Sequence, residues 1–425
     1  MRICLSAILC LLFSMVLAQA PKAYLLKVGK LYNSEQNTFI RNQEILVQGN
    51  KIVKVGTGLK KPEGAEVINL GSCTVTPGLI DAHTHILYLQ KPEEPMEVDI
   101  LMNSDIERSL RAVKIARTFL DAGFTTIRDL GNSGQYLDLN MRRAIDKGLV
   151  AGPRMIISGP ILSPEDGQFF GLSLQNRPVI DREYTVVRNV EEARQAVKDH
   201  ISHQVDLIKV VMGDGRLTLP VEEVKEIVNT AHRYGIKVTA HATYDMLVER
   251  ALDAGVDGIE HGYSIADSLL DRMARQQVYL VPTIGTYEGY KSYYDPENKR
   301  SKEELEGLTS FVNNTMGIVK RAFEKGVMIV NGSDMYLVTP KPQGDAAKNT
   351  LEAIYQAIGS KAADALQAAT RNAARACGVD GFTGIIKENM RADIVAFDGD
   401  LEKDFQQTLY KVKFVMKDGE VYVNK

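Results

Sequence analysis

The 425-residue sequence lacks several features that mark common classes of protein. Its 51 basic and 54 acidic side chains nearly cancel, and no block of like charge stands out, so the sequence gives no footprint for nucleic acid or an anionic membrane. It has only four cysteines, and Cys4 and Cys10 lie in an apolar N-terminal run. The other two, Cys73 and Cys377, are too few for a cysteine-based metal site. The sequence leaves two alternatives for this pair, a single disulfide or two buried thiols.

The N-terminal apolar run, residues 3–17, is shorter than the roughly 20 residues that span a membrane. Arg2 precedes this run, and Val16-Leu17-Ala18 ends it with a small residue. We therefore predict that residues 1–18 are a cleaved secretory signal peptide, with an uncleaved anchor as the alternative. The mature chain is then secreted or periplasmic, with no membrane attachment.

Strand patterns occur at both ends of the mature chain, whereas the middle alternates apolar runs with helical patterns. No G-x-G-x-x-G follows the first apolar run of the middle part, which disfavours an open doubly wound sheet. Alternation of this kind is typical of parallel strands joined by crossover helices. The predicted strands of the middle part are 79–83, 125–129, 154–158, 207–211, 237–241, 258–261, 279–283 and 328–333.

Eight strand–helix units in about 300 residues match the size of a (β/α)8 barrel. We predict an α/β fold in which residues 76–384 form this TIM-like barrel. Residues 19–75 and 385–425 are predicted to form a small β-sandwich built from both termini. The active site of such a barrel lies at the C-terminal ends of its strands.

Metal-binding residue types recur at these predicted strand ends. Four of the seven histidines lie there, and a lysine stands inside the apolar run of strand 4. A lone buried ammonium is costly unless it is paired with a carboxylate or chemically changed, for example by carboxylation into an anionic ligand that bridges two metals. The candidate metal ligands are His83, His85, Lys209, His241, His261 and Asp334.

The sequence resembles the amidohydrolase superfamily in three segments, PGLID at 77–81, GVDGIEHG at 255–262 and RADIV at 391–395. It is most similar to the subtype with two metals bridged by a carboxylated lysine, in the imidazolonepropionase-related group that includes Xaa-Pro and Xaa-Arg dipeptidases. The resemblance implies that His83, His85 and Asp334 hold the more buried ion and that His241 and His261 hold the other. Lys209, carboxylated by carbon dioxide, would bridge them.

These ligands suit zinc, and also manganese, cobalt or iron. Two such ions lower the pKa of a water between them and polarise a carbonyl group. Asp334 is predicted to act as the general acid and base, since it stands where it can move a proton from that water to a leaving amine. Asp81 is predicted to hold a ligating imidazole rather than to bind metal itself.

We therefore expect a metal-dependent amidohydrolase that cleaves a dipeptide or an N-acyl amino acid by attack of a metal-bridging hydroxide. One alternative is an esterase, lactonase or phosphotriesterase that uses the same two-metal centre. Another is a metal-free barrel that serves only in binding or structure. The expected partner is a small-molecule substrate, and the resemblance alone suggests a homo-oligomer.

Substrate contacts are predicted in residues that follow strands 3, 5 and 7, because long loops at this face of a barrel carry the substrate site. The first loop spans 164–184 and the last spans 284–300. The chain has Thr243 where related peptidases place a tyrosine. The predicted substrate residues are Gln168, Arg182, Thr243, Tyr244 and Tyr287.

Overall fold

A computed structural model describes residues 22–169, 172–173 and 175–425. The predicted signal peptide, residues 1–18, lies outside the described residues. Within the described part, no helix is both long enough and apolar enough to cross a membrane. The strands are β1 (Ala23–Asn33), β2 (Thr38–Gln48), β3 (Lys51–Gly56), β4 (Glu66–Pro77), β5 (Leu79–Thr84), β6 (Phe124–Asp129), β7 (Arg154–Ile157), β8 (Ile161–Ser163), β9 (Tyr184–Val186), β10 (Leu207–Val211), β11 (Lys237–Ala242), β12 (Gly258–His261), β13 (Tyr279–Val281), β14 (Ile394–Asp398), β15 (Val412–Lys417) and β16 (Glu420–Asn424).

Helices separate the strands of the middle part, as the alternating pattern predicts. Two of the longest begin at capping boxes, in which Ser104 and Ser301 each exchange hydrogen bonds with a glutamate three residues later. The helices are α1 (Glu97–Met102), α2 (Asp105–Asp121), α3 (Leu137–Asp146), α4 (Ile180–Glu183), α5 (Val190–Ser202), α6 (Val221–Arg233), α7 (Asp245–Ala254), α8 (Asp267–Gln276), α9 (Tyr287–Tyr294), α10 (Lys302–Glu324), α11 (Gln343–Ala357), α12 (Ala362–Ala368), α13 (Arg371–Ala376) and α14 (Phe405–Thr408).

The two ends of the chain share one β layer, which confirms that both termini build the small second unit. Its strand order is β16-β15-β14-β4-β1-β2-β3, and the central pair of β4 and β14 joins the N-terminal and C-terminal segments. Ile45 of β2 and Phe414 of β15 stand near opposite ends of this order but belong to one buried apolar cluster. The sheet therefore curls around its own core.

The barrel wall consists of parallel strands in two hydrogen-bonded groups, β5-β6-β7 and β13-β12-β11-β10-β8-β9. The third strand ends at Ile157 rather than at the predicted residue 158. Gly159 adopts a positive φ of 67°, and Pro160 has no N–H to give to a ladder. The next strand, β8, continues the barrel wall, and its Leu162 pairs with Val210 of β10.

The predicted eighth strand, 328–333, is not a regular strand, although it closes the barrel. Its ladder is reduced to one bridge between Ile329 and Leu280 of β13. On the other side, the N–H of Ala82 in β5 donates to the Asn331 carbonyl at 2.9 Å, and the N–H of Asp334 donates to the His83 carbonyl at 2.8 Å. A positive φ of 54° at Asp334 ends the extended segment at the mouth of the barrel.

The two remaining cysteines are both buried free thiols. Cys73 lies in the apolar cluster of the terminal sheet, and Cys377 lies in a cluster of the barrel. The structure therefore favours two buried thiols over the single disulfide that the sequence left open.

Candidate metal centre

Four of the predicted ligands meet at the barrel mouth, and we call His83, His85, His261 and Asp334 the histidine cluster. The Nε2 atoms of His83 and His85 are 3.3 Å apart. Asp334 Oδ1 lies 3.4 Å from the first of them and 3.2 Å from the second. Nδ1 of His261 is 3.8 Å from Asp334 Oδ2. The strand ends thus bring together residues that are up to 251 positions apart in the chain, from His83 to Asp334.

The outer ring nitrogens of the first two histidines are held by acceptors. His85 Nδ1 donates to the Gly131 carbonyl at 2.7 Å, and His83 Nδ1 lies 2.7 Å from Oε2 of Glu260. With Nδ1 protonated in each ring, both Nε2 atoms present lone pairs to the same small space beside Asp334. Two lone pairs and a carboxylate oxygen that converge in this way suit a divalent cation.

The ionisation of the cluster also suits metal binding. Burial and the nearby Lys209 ammonium lower the pKa of His83 to about 4, and burial lowers the pKa of His261 well below its usual value. Burial would raise the pKa of Asp334, but the surrounding imidazoles lower it, so this carboxyl is ionised. Burial would also lower the pKa of His85, but the hydrogen bond and charge of Asp334 raise it. The neutral imidazoles of His83 and His261 beside a carboxylate are the forms in which these side chains bind metals.

Glu260 holds the first imidazole, and the prediction that Asp81 would do so is wrong. Oδ1 of Asp81 instead accepts the backbone N–H groups of His83 and Ser333, at 3.2 and 2.9 Å. Glu260 precedes His261 in β12, where adjacent side chains normally point to opposite faces of a strand. A positive φ of 73° at His261 breaks that alternation, and both residues reach the same cluster.

A second buried partner keeps Glu260 ionised. Its Oε1 accepts from Arg128 Nη2 at 2.6 Å, and both side chains are fully buried. Burial would raise the pKa of Glu260, but the charge of Arg128 and the hydrogen bond from His83 lower it to about 2. The carboxylate therefore links the buried guanidinium to the imidazole ring.

Lys209 lies inside the barrel wall, as predicted. It pairs in register with Thr239 of β11, two residues before His241, and its side chain is buried. Within the described part of the chain its Nζ forms no ion pair at 4 Å or less. Burial lowers the pKa of Lys209 to about 8, against the opposing influence of Glu260 and Asp334. A pKa of about 8 leaves about a tenth of this amine neutral at pH 7, and the neutral amine is the form that reacts with carbon dioxide.

His241 stands next to His261, with the two ring centroids 4.3 Å apart. Its Nε2 is 2.6 Å from Oδ2 of Asp214, yet this buried nitrogen has no aligned hydrogen bond to any described residue. Sequence reasoning missed Asp214, although it follows β10 at the barrel face where function concentrates. An imidazole nitrogen that faces a carboxylate at the barrel mouth fits a second ligand position.

Two predicted substrate residues lie beside this second position. Thr243 Oγ1 donates to Asp214 Oδ1 at 3.0 Å, and Gln168 Nε2 lies 3.4 Å from Asp214 Oδ2. Tyr184 donates to Gln168 Oε1 at 3.3 Å, which anchors the loop after β8. Thr243, Gln168 and Asp214 thus form a polar group next to His241.

The other three predicted substrate residues are engaged elsewhere. Arg182 pairs with Asp105 at 3.2 Å and donates to a backbone carbonyl of α1. Tyr244 packs against the apolar core of the barrel, and Tyr287 is the first residue of α9. None of these contacts involves the histidine cluster, so a substrate role for these three stays a prediction.

Strained backbone marks three successive strand ends of the barrel. His261, Thr283 and Asp334 have φ values of 73°, 46° and 54°, a region that side chains other than glycine rarely adopt. Thr283 is β-branched, which makes the strain larger. Its Oγ1 lies 2.8 Å from His261 Nδ1 and 2.9 Å from the hydroxyl of Tyr263. Thr283 and Tyr263, which the sequence did not single out, therefore orient the His261 ring.

Replacing Thr283 with valine is expected to weaken metal binding about tenfold, because it removes the hydroxyl that orients His261 while it keeps the β-branched shape. Thr315→Val, which removes another buried hydroxyl, on α10, is the matched control. Metal affinity measured by competition with a chelator dye should fall only in the first variant. Equal affinities in the two variants would show that Thr283 has no orienting role.

Sequence and structure comparisons show that the chain is similar to known hydrolases. The sequence profile of the amidohydrolase family matches residues 74–422. The ochratoxinase of Aspergillus niger is 25% identical over 376 residues, which cover 81% of this chain and 75% of that protein. A crystal structure of a prolidase complexed with N-methylphosphonate-L-proline is 25% identical, with a TM-score of 0.83 over 95% of this chain and 100% of that chain. A Xaa-Pro dipeptidase with methionine bound in its active site is 26% identical, with a TM-score of 0.81 and the same coverage.

Proposed function

The chain belongs to the amidohydrolase family, and from this premise we propose that it is a two-metal hydrolase that cleaves amide bonds in dipeptides or N-acyl amino acids. Family membership makes it a hydrolytic enzyme with a small-molecule substrate. The two ions, the amide bond and the carboxylated lysine are the parts that we propose.

One observation carries the proposal. The Nε2 atoms of His83 and His85 face each other at 3.3 Å with Asp334 beside them, while their Nδ1 atoms are tied to Glu260 and Gly131. Both Nε2 atoms and the Asp334 carboxylate therefore converge on one small space in which a cation can bind. In the proposed assignment His83, His85 and Asp334 would hold one ion, His241 and His261 would hold the other, and Lys209, once carboxylated, would be a ligand of both.

The side chains around the ions transfer protons, position the metal ligands and contact the substrate. When bound, divalent ions lower the pKa of water and polarise a carbonyl oxygen. Asp334 is ionised and can accept a proton from the attacking water and donate it to the leaving nitrogen. Glu260 and Thr283 keep the rings of His83 and His261 in place. The polar group of Asp214, Thr243 and Gln168 lies where it can contact the substrate near His241.

The test compares amides with esters in one preparation. Purified protein is dialysed against a chelator, restored with zinc, and assayed with Xaa-Pro and other dipeptides, N-acyl amino acids and aryl esters. We expect amide hydrolysis that disappears on chelation and returns with zinc. Turnover of aryl esters with no turnover of any amide would contradict the proposed bond specificity, and activity that survives complete metal removal would contradict the two-metal centre.

Two histidine variants test whether the measured activity belongs to this protein or to a contaminating hydrolase. His85→Ala removes a cluster residue, whereas His203→Ala removes the exposed histidine at the end of α5. Amide hydrolysis should be lost in the first and retained in the second.

A further inference from the structure

A cavity of about 520 Å³ opens beside Asp334 and extends away from the histidine cluster. Residues of α9 and α11 line it, together with residues of α14 and of the segment after α14. Its volume falls in the range of ligand sites for molecules larger than a single small amino acid. The apolar and aromatic side chains that line it include Ile284, Tyr290, Tyr293, Met335, Leu337 and Tyr410.

Hydrogen bonds and close helix packing fix the wall of this cavity. On α11, Asn349 Oδ1 accepts the Thr286 N–H at 2.9 Å, and its Nδ2 donates to Thr286 Oγ1 at 2.8 Å. A Cβ at Gly289 of α9 would lie 2.1 Å from Asn349 Oδ1, so only glycine allows the two helices to meet here. The cavity is therefore a property of the packed fold and not of a loose loop.

Several polar groups of the wall are paired with one another. Glu352 accepts from Gln406 Nε2 at 2.7 Å and from the Tyr410 hydroxyl at 3.1 Å. Asp345 pairs with Lys348 at 3.2 Å. The Nζ of Lys341, an exposed residue, lies 4.9 Å from the ring centroid of Tyr410. With these groups satisfied by their neighbours, the space between them offers a ligand mainly apolar contact.

We propose that this cavity binds a bulky aromatic or long aliphatic group of the substrate. The substrate class is then amides of large apolar acids or amines, and small dipeptides are poor substrates. The inference rests on the proposed function, because Asp334 both lines this cavity and belongs to the histidine cluster, so a group bound in the cavity lies next to the scissile bond.

Ala346 provides the means to shorten the cavity without touching the metal centre. It is a half-buried residue of α11 that lines the cavity, so Ala346→Phe places a ring inside it. Ser292→Phe, at an exposed residue of α9 that also lines the cavity, obstructs the same space with little risk to folding. Ala266→Phe, at an exposed residue just before α8, is the matched control.

The experiment measures kcat/KM on two substrate series with the zinc-loaded enzyme. One series varies the acyl group from acetyl to octanoyl and naphthoyl on a fixed amino acid, and the other varies the amino acid from alanine to phenylalanine and naphthylalanine under a fixed acetyl group. We expect kcat/KM to rise at least about tenfold with size in one series. Ala346→Phe or Ser292→Phe should remove that gain and leave the acetyl-alanine rate within about twofold, whereas Ala266→Phe should change neither.

Failures of the two proposals look different. Amide hydrolysis that does not depend on substrate size, or that both cavity variants slow equally for small and large substrates, would overturn the cavity assignment and leave the proposed function standing. Absence of amide hydrolysis by the unmodified enzyme would overturn the proposed function, and this inference with it.

Discussion

Replacing Lys209 with methionine is expected to reduce bound metal from two ions per chain to one or none and to lower kcat/KM for an amide at least about a thousandfold. A thousandfold loss corresponds to about 4 kcal/mol of transition-state stabilisation, a reasonable share for a metal that polarises the carbonyl. Lys209 is buried beside the histidine cluster, and burial lowers the pKa of its amine to about 8. Methionine keeps most of the volume and removes the nitrogen that carbon dioxide would modify.

Lys348 offers a matched control for this variant. It is also fully buried, and burial also lowers the pKa of its amine to about 8. It pairs with Asp345 on α11 and does not belong to the metal centre. Lys348→Met should therefore keep two ions per chain by elemental analysis. Full metal content in Lys209→Met, or equal loss in both variants, would contradict the bridging role.

Glu260→Gln is expected to lower the free energy of unfolding by about 3–5 kcal/mol and to weaken metal binding about 10–100-fold. The first effect follows because the substitution leaves the Arg128 guanidinium buried without its counter-charge. The second follows because His83 Nδ1 loses the carboxylate that fixes its ring at 2.7 Å. Urea denaturation of the metal-free protein gives the first quantity, and titration with zinc against a chelator dye gives the second.

A second buried ion pair separates the two effects. Glu183 accepts from Arg108 at 2.6 Å, both side chains are fully buried, and this glutamate contacts no histidine. Glu183→Gln should cost similar stability and leave zinc affinity unchanged. If both glutamine variants bind zinc as tightly as the unmodified protein, Glu260 has no part in orienting His83.

The sequence was sufficient for the barrel because each unit carries its own local pattern. An apolar strand and an amphipathic helix are readable one at a time, and β10 and β12 have the predicted bounds. The eighth strand was harder, because its hydrogen bonds are divided between β13 and β5 and nearly all lie outside a regular ladder. These hydrogen bonds form only when the barrel closes, so the local sequence pattern of residues 328–333 does not predict them.

The convergence of the histidine cluster could be predicted for a related reason. Histidines at strand ends are uncommon enough to stand out, and parallel strands bring their C-terminal ends to one face. The supporting residues were not readable in this way. A regular strand would place Glu260 on the face opposite to its neighbour His261, and only the positive φ at His261 lets both reach the cluster. Thr283 and Asp214 likewise acquire their partners only when separate strands meet.

Crystallography of the zinc-loaded protein, with anomalous scattering recorded at the zinc edge, tests the central claim most directly. The account predicts two anomalous peaks at the barrel mouth, one among His83, His85 and Asp334 and one between His241 and His261, with added density on the Lys209 amine. An empty barrel mouth, or zinc bound only at other positions, would contradict it.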